Sequence, residues 1–175
     1  MGRPRGQDDV VIRPRTPADD AAIARLVDAA FGGPAESRLI QALRDVGLAT
    51  IELVAQADTL TGHILFSPLD VTVDGRPVRT LALAPVAVRP DCQQRGIGGG
   101  LIRRGLEVAR TEAWAAAIVL GDPAYYPRFG FSAALTRHLR APFAGDAFMA
   151  LALQSGALDG KAGRVVYPPA FDLVG

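Results

Sequence analysis

The sequence predicts an α/β (α+β) fold. One domain is expected, on a mixed, mostly antiparallel, twisted sheet of about seven strands, with helices on both faces and a β-bulge in a central strand. Three observations predict it. Strand and helix patterns follow one another in the order β-α-α-β-β-β-α-β-α-β-β. Asp74-Gly75, set between two long β-rich runs, is a hairpin signal that makes those runs antiparallel neighbours. In Leu81-Ala82-Leu83-Ala84-Pro85-Val86-Ala87-Val88 the large apolar residues stand first at odd positions, 81 and 83, and then at even ones, 86 and 88. Side chains of a regular strand alternate faces with period two. The change of parity therefore requires one extra residue, a bulge near Ala84-Pro85, where proline is tolerated.

Residues 10–13 read as the first strand. Thr16-Pro17-Ala18-Asp19 supplies an N-cap, a proline at N1 and a capping carboxylate. The helix it opens repeats apolar residues at Ile23, Leu26, Val27, Ala30 and Phe31, and Gly32-Gly33 stops it. Pro34 starts a second helix with Leu39, Ile40, Leu43 and Val46 on one face, ended by Gly47. Strands are expected at 50–57 and 62–73, the latter interrupted near Pro68, with a return strand at 78–88. A helix over 96–110, an apolar strand over 116–120, a single helical turn over 123–128 and a late strand over 148–153 follow. Val165-Val166-Tyr167-Pro168-Pro169 reads as an edge strand, because its prolines exclude a central place.

The bulk properties fit one globular domain: 175 residues, 49% hydrophobic and 21% charged. A net charge of +1 gives no general attraction to nucleic acid or to an anionic membrane, so any anion affinity is local. The single cysteine, Cys92, excludes an internal disulfide and fits a cytoplasmic location. Residues 1–9 are polar, lack the apolar core of a signal peptide and are expected to be disordered. Position 6 is Gly, which excludes a myristoylation motif. No apolar run reaches the length of a membrane span.

The most informative stretch runs from Val86 to Leu101. A β-branched strand enters a loop rich in Gly, Gln and Arg (Cys92-Gln93-Gln94-Arg95-Gly96-Ile97-Gly98-Gly99-Gly100), and the loop opens a helix. The first N–H groups of a helix have no intrahelical partner, and the helix dipole adds partial positive charge there. Such an end accommodates phosphate oxygens, and glycines let the ligand approach the backbone. The bulge just upstream frees main-chain groups and parts neighbouring strands. A ligand with phosphates and a long thin arm could therefore use both features.

Gln93-x-x-Gly96-x-Gly98 after Val86-x-Val88-x-Pro90 resembles the acetyl-CoA motif of the GNAT superfamily of N-acetyltransferases. Gly121-Asp122-Pro123-Ala124-Tyr125-Tyr126-Pro127-Arg128-Phe129-Gly130-Phe131 is similar to the second cofactor segment of a bacterial branch often called YhbS-like. The resemblance extends from Val11 to Phe171. It implies acetyl-CoA as co-substrate and no metal. Main-chain groups of Val86, Ala87 and Val88 would pair with the pantetheine amides. The amides of Gln93, Gln94, Arg95, Gly96, Ile97, Gly98 and Gly99 would hold the pyrophosphate, with Arg103 or Arg104 assisting. Many superfamily members carry Arg at the position of Gln93, so the phosphate grip here rests on the amides and Arg95. Many also place an Asn seven residues before the key Tyr. Asp122 stands four before Tyr126, so no cofactor role is carried over to it.

The implied reaction is direct attack of a primary amine on the acetyl thioester in a ternary complex. A free N–H at the bulge, near Val86, would stabilise the oxyanion. Tyr126 matches the family's general acid, and its ordinary pKa of about 10 exceeds a thiol's of about 8.5. Tyr125 reads as a packing residue. Glu36 shares the inward stripe of Leu39, Ile40 and Leu43. It is either a first-turn carboxylate favoured by the dipole or a cleft residue, and the family's Glu before a Leu-x-x-x-Leu-Arg pattern favours a general base. Asp70 and Asp146, on expected loops, are further bases; a water chain is another. His63 reads as a satisfied structural histidine and Cys92 as incidental. The alternative from another class is a non-catalytic acyl-CoA sensing module. A P-loop lacks its Lys-Ser/Thr, and a Rossmann site lacks its βαβ setting. The acceptor amine is not readable, and a homodimer is an expectation of the superfamily alone.

Overall fold

The computed structural model describes residues 9–174. The disordered segment expected at 1–9 thus lies outside the described residues except for Asp9, which is exposed and belongs to no element. Nine strands form the sheet: β1 (Val11–Pro14), β2 (Ile51–Gln56), β3 (Leu60–Val73), β4 (Arg76–Pro77), β5 (Thr80–Val88), β6 (Ala116–Leu120), β7 (Leu139–Arg140), β8 (Phe148–Ala152) and β9 (Gly163–Val166). The helices are α1 (Asp20–Phe31), α2 (Ala35–Asp45) and α3 (Ile97–Thr111). The strand order is β1-β2-β3-β5-β6-β8, with β4 and β9 paired to the far half of β3 and β7 to β9. Among the described residues only β5–β6 and β7–β9 are parallel pairs. The two-residue strands β4 and β7 carry no hydrophobic period, which is why the sequence yields about seven strands.

Asp74 and Gly75 both take positive φ, 48° and 79°, as a tight hairpin of matched twist requires. Strand β3 runs through Pro68 without interruption. The Phe66 carbonyl accepts from Thr50 N–H on the β2 side. Alternation turns Pro68 to that same side, where the pairing with β2 has ended and the pairing with β9, which begins at Asp70, has not started. The missing N–H therefore costs no ladder bond. Likewise, β9 is flanked by β3 and β7 and is no edge strand, because it stops at Val166 before Pro168 and Pro169.

Two helical layers cover the sheet. Leu101, Ile102 and Leu106 of α3 bury against Ile64, Phe66, Leu81 and Leu83. Gly105 lets α3 sit against the Phe66 ring, which an added Cβ would overlap. On the other face Ile23, Leu26, Val27, Leu39, Ile40 and Leu43 pack on Val54, Leu65 and Ala87. Val46, placed by period on that stripe, is 66% exposed just past the end of α2. Ion pairs pin these helices: Arg13–Asp19 at 2.8 Å, Arg15–Asp20 at 2.6 Å and Arg44–Glu52 at 2.8 Å. Burial pushes the Glu52 carboxyl up, but His63 and Arg44 outweigh it and hold the group below the ordinary range. His63 is fully buried with Nε2 3.6 Å from Glu52, and neither ring nitrogen has a hydrogen-bond partner. Among the described residues its ring thus lacks the partner that a satisfied histidine requires, contrary to expectation.

Candidate active site

The parity change in β5 is a bulge. Val86 faces Ile64 and Leu83 faces Phe66, so two residues of β5, Ala84 and Pro85, lie opposite the single Leu65. Leu81 and Leu83 before the bulge and Val86 after it all face the α3 core. Beyond this point the sheet opens. The parallel pairing of β5 with β6 spans only Thr80–Ala116, Leu81–Ala117 and Ala82–Ile118, while β6 stays paired to β8 as far as Leu120. Arg89 N–H donates to the Thr61 carbonyl on β3. Alternation then commits Ala87 to β3 and turns the N–H and C=O of Val86 and Val88 toward the opening.

Helix α3 starts beside this opening. Gly96, its N-cap, takes φ 80°, a left-handed conformation that costs a glycine little. Gly100 N–H is the first to reach an intrahelical acceptor, Gly96 C=O at 3.0 Å. The N–H groups of Ile97, Gly98 and Gly99 are left for another partner. A groove of about 620 Å³ lies against them, lined also by Val86, Val88, Cys92, Gln93 and Gln94. Tyr125, Arg128, Phe129 and, from α3 itself, Arg103 complete the lining. A Cβ at Gly98 would stand 3.5 Å from Val88 Cγ2 and 3.7 Å from Tyr125 Oη, so any longer side chain there fills the groove. Two cations border it: Arg128 lies 4.4 Å from the Tyr125 ring centroid and Arg103 5.0 Å from that of Phe129. Gln93 Nε2 donates to the Val88 carbonyl at 3.1 Å.

On the far side of Val86 a second cleft of about 310 Å³ opens, walled by Glu36, Phe31, Tyr126, Phe143, Tyr167 and Phe171 among others. Asp122 builds the turn between the two spaces: its side chain accepts from Ala124 N–H at 2.8 Å and its carbonyl from Tyr125 and Tyr126 N–H. The 3₁₀ turn Tyr126–Phe129 that follows begins three residues later than the expected helical turn. Tyr126 is 9% exposed, and an added Cβ at Gly121 would overlap its ring. Burial, with Tyr125 and Asp122 nearby, pushes its phenol up to about 12. Val86 lines both spaces.

The structure thus brings Val86, Val88, Gln93, Gln94, Gly96, Ile97, Gly98 and Gly99 to one groove, and Tyr126 and Glu36 to the adjoining cleft. Ala87 is not brought there: its side chain packs under α1 and α2 and its main chain faces β3. Arg95 is exposed outside the groove lining, and Arg104 pairs with Glu107 at 3.2 Å on another face. Asp70 lies within β3, paired with Val166, and Asp146 borders a separate pocket, so neither reaches the cleft. Tyr125, read as packing, lines the groove. Phe31, read as a core stripe residue, is 45% exposed at the cleft. Arg128 lines the groove, and Phe143, Tyr167 and Phe171 the cleft, with no role that the sequence alone assigns to these side chains. Among the described residues no group of three or more His, Cys, Asp or Glu could hold a metal ion, and no helix is long and apolar enough to cross a membrane.

Comparison with known proteins adds relatives to this geometry. A family model described as "Acetyltransferase (GNAT) domain" matches residues 11–134. The chain is 35% identical over 167 residues to the "Uncharacterized N-acetyltransferase YhbS" of Escherichia coli K12, covering 93% of this chain and 99% of that protein. The crystal structure of Escherichia coli YhbS in complex with CoA superposes with a TM-score of 0.87 at 34% identity, over 98% of this chain and 96% of that one. A GNAT family acetyltransferase from Brucella melitensis in complex with acetyl-CoA gives 0.78 at 36% identity, over 94% and 99% of the two chains.

Proposed function

Because the chain belongs to the GNAT acetyltransferases, we propose that it is an acetyl-CoA-dependent N-acetyltransferase, transferring the acetyl group to a primary amine by direct attack in a ternary complex. The observation that carries this reading is the parting of β5 from β6 after Ala82–Ile118, directly beside the open amides of α3. That arrangement suits a ligand with an amide-bearing arm and a pyrophosphate. The related structures hold CoA or acetyl-CoA. The main chain of Val86 and Val88 would take the arm, with the Gln93 side chain displaced from the Val88 carbonyl. The amides of Ile97, Gly98 and Gly99 would take the pyrophosphate, and Arg103 and Arg128 would supply the cations.

The acetyl end would then lie at Val86, where groove and cleft meet. The amine nitrogen forms a bond to the thioester carbon, and the oxyanion is met by the free Val86 N–H. Collapse breaks the C–S bond and releases CoA. The proton lost from nitrogen passes to Glu36 and on to water. Tyr126 donates its hydroxyl proton toward the sulfur as the bond breaks and regains one from water. With its phenol at about 12 it stays protonated at every working pH. Transfer between small molecules or proteins of the cytoplasm is consistent with the lone cysteine.

The test is a thermal-shift titration with acetyl-CoA followed by an amine screen that reads free CoA, with Tyr126→Phe as control. Stabilisation by acetyl-CoA and amine-dependent CoA release lost in Tyr126→Phe are expected. Absence of any stabilisation overturns the proposal.

A further inference from the structure

Acetyl transfer sets no limit on what carries the amine; the walls of the second cleft do. Its volume of about 310 Å³ stands at the small end for ligand sites. Besides Tyr126, four aromatic rings reach it from three segments: Phe31 at the end of α1, Phe143 from the loop after β7, and Tyr167 and Phe171 after β9. Tyr167 meets Phe143 edge-on with 5.3 Å between centroids and Phe171 with 5.1 Å. These three rings make one continuous wall. Phe31 and Leu120, 45% and 48% exposed, stand at the rim, so the apolar surface continues to the mouth. Burial holds the Tyr167 hydroxyl well above its ordinary pKa, so it stays neutral. Among the described lining residues Glu36 is the one carboxyl side chain, and no Arg, Lys or His joins it.

We propose that the acceptor is an arylalkylamine: a primary amine on a compact aromatic body that bears no carboxylate. The inference rests on the acetyltransferase reading above and narrows its substrate. Glu36 draws in the ammonium, and the ring packs among Phe143, Tyr167 and Phe171, where edge and offset aromatic pairs are favoured. The apolar walls then disfavour the charged amine and promote the neutral form that attacks. A free amino acid would bring its carboxylate into a wall with no cation, leaving that charge without a partner. A polyamine would bring a second ammonium to a site with one carboxylate.

The purified full chain is assayed for CoA release from acetyl-CoA with 2-phenylethylamine, phenylalanine and spermidine in turn. Acetyl-CoA binding is followed in the same preparations by thermal shift. The expected kcat/KM for 2-phenylethylamine exceeds both others by about 30-fold or more, as for a site that leaves a wrong substrate's polar group unpaired. Phe31→Arg adds a cation at an exposed position of the rim and should narrow the gap to phenylalanine by roughly tenfold. Equal or better turnover of phenylalanine or spermidine overturns the acceptor assignment, as does an unchanged gap in Phe31→Arg. So does turnover of none of the three by protein that binds acetyl-CoA. A protein that acetyl-CoA does not stabilise overturns instead the acetyltransferase reading beneath it.

Discussion

The groove at the start of α3 and the cleft beside it meet at Val86 but are built from different material. The groove presents main chain: the edge of β5 left open by the bulge and the first amides of a helix. Its glycines matter by lacking a side chain. The cleft presents side chains, one carboxylate and five aromatic rings, delivered by elements far apart in sequence. A main-chain site tolerates many substitutions but no added bulk at its glycines. A side-chain site tolerates bulk elsewhere and changes its preference with each wall residue. On the proposed reading the carrier is recognised by the invariant chemistry of the peptide, and the acceptor by the variable chemistry of side chains.

The largest expected effect attacks the main-chain half. Gly98→Val places methyl groups where Val88 and Tyr125 already border the groove. It should abolish stabilisation by acetyl-CoA, which by mass action amounts to about 2.7 kcal/mol at a hundred times Kd, and activity with it. Gln93→Ala is the matched control: it frees the Val88 carbonyl and should leave binding intact or tighter, measured by the same thermal shift. Next comes the junction. Tyr126→Phe should lower kcat by about 10²–10⁴-fold, the usual worth of a positioned acid, with acetyl-CoA stabilisation unchanged. Since burial holds the phenol at about 12, the kcat profile of the wild type should show no fall assignable to Tyr126 up to about pH 10, the ordinary tyrosine value.

This contrast also decided what the sequence could tell. The main-chain part of the groove lies within one stretch, Val86 to Gly99, so parity, glycines and helix start are read together. The cleft draws on Phe31, Glu36, Phe143, Tyr167 and Phe171, which no local pattern links. Phe31 follows Val27 at helical spacing, and spacing alone does not distinguish a stripe residue that is covered from one left open at the helix end. Tyr125 and Tyr126 diverge because a tight turn advances about 120° per residue, so neighbours face opposite chambers. The same turn, read only as amphipathic packing, hides Tyr125. Ala87 shows the converse: the strand was placed correctly, but which of three consecutive residues turns its main chain outward depends on the β3 register. His63 beside Glu52 is likewise a cross-strand relation, invisible along the chain.

The two arginines at the groove test whether its lining adds charge to the main-chain grip. Arg128→Ala and Arg103→Ala should each weaken acetyl-CoA binding by about fivefold to tenfold, the range of partly exposed charge-assisted contacts. The losses should shrink as salt rises, because exposed charges are screened. Arg95→Ala and Arg104→Ala, outside the groove lining, should leave binding unchanged. A titration series at two ionic strengths separates these outcomes, and equal losses at Arg95 would move the phosphate site outward.

The smallest effect concerns how the acceptor half is held. Helices α1 and α2 follow the ion pairs Arg13–Asp19, Arg15–Asp20 and Arg44–Glu52, whereas α3 is held by apolar packing. The Arg13 guanidinium holds the Asp19 carboxyl far below its ordinary range, with the Thr16 N–H adding to it. A carboxyl depressed in the folded state contributes stability above its unfolded pKa of about 4 and loses it as pH falls below that value. Asp19→Asn should therefore cost about 1 kcal/mol or less near neutrality, since Arg13 is partly open to water and screened. The deficit should begin to shrink below about pH 4 and vanish only at the much lower pH where Asp19 is protonated in the folded wild type. Chemical denaturation at pH 7 and at pH 3 measures the onset of that shrinkage. If acid loosens the acceptor helices first, amide exchange in α1 and α2 should quicken at pH 3 before that in α3. Uniform quickening would instead mean that both halves of the crevice share one cooperative unit.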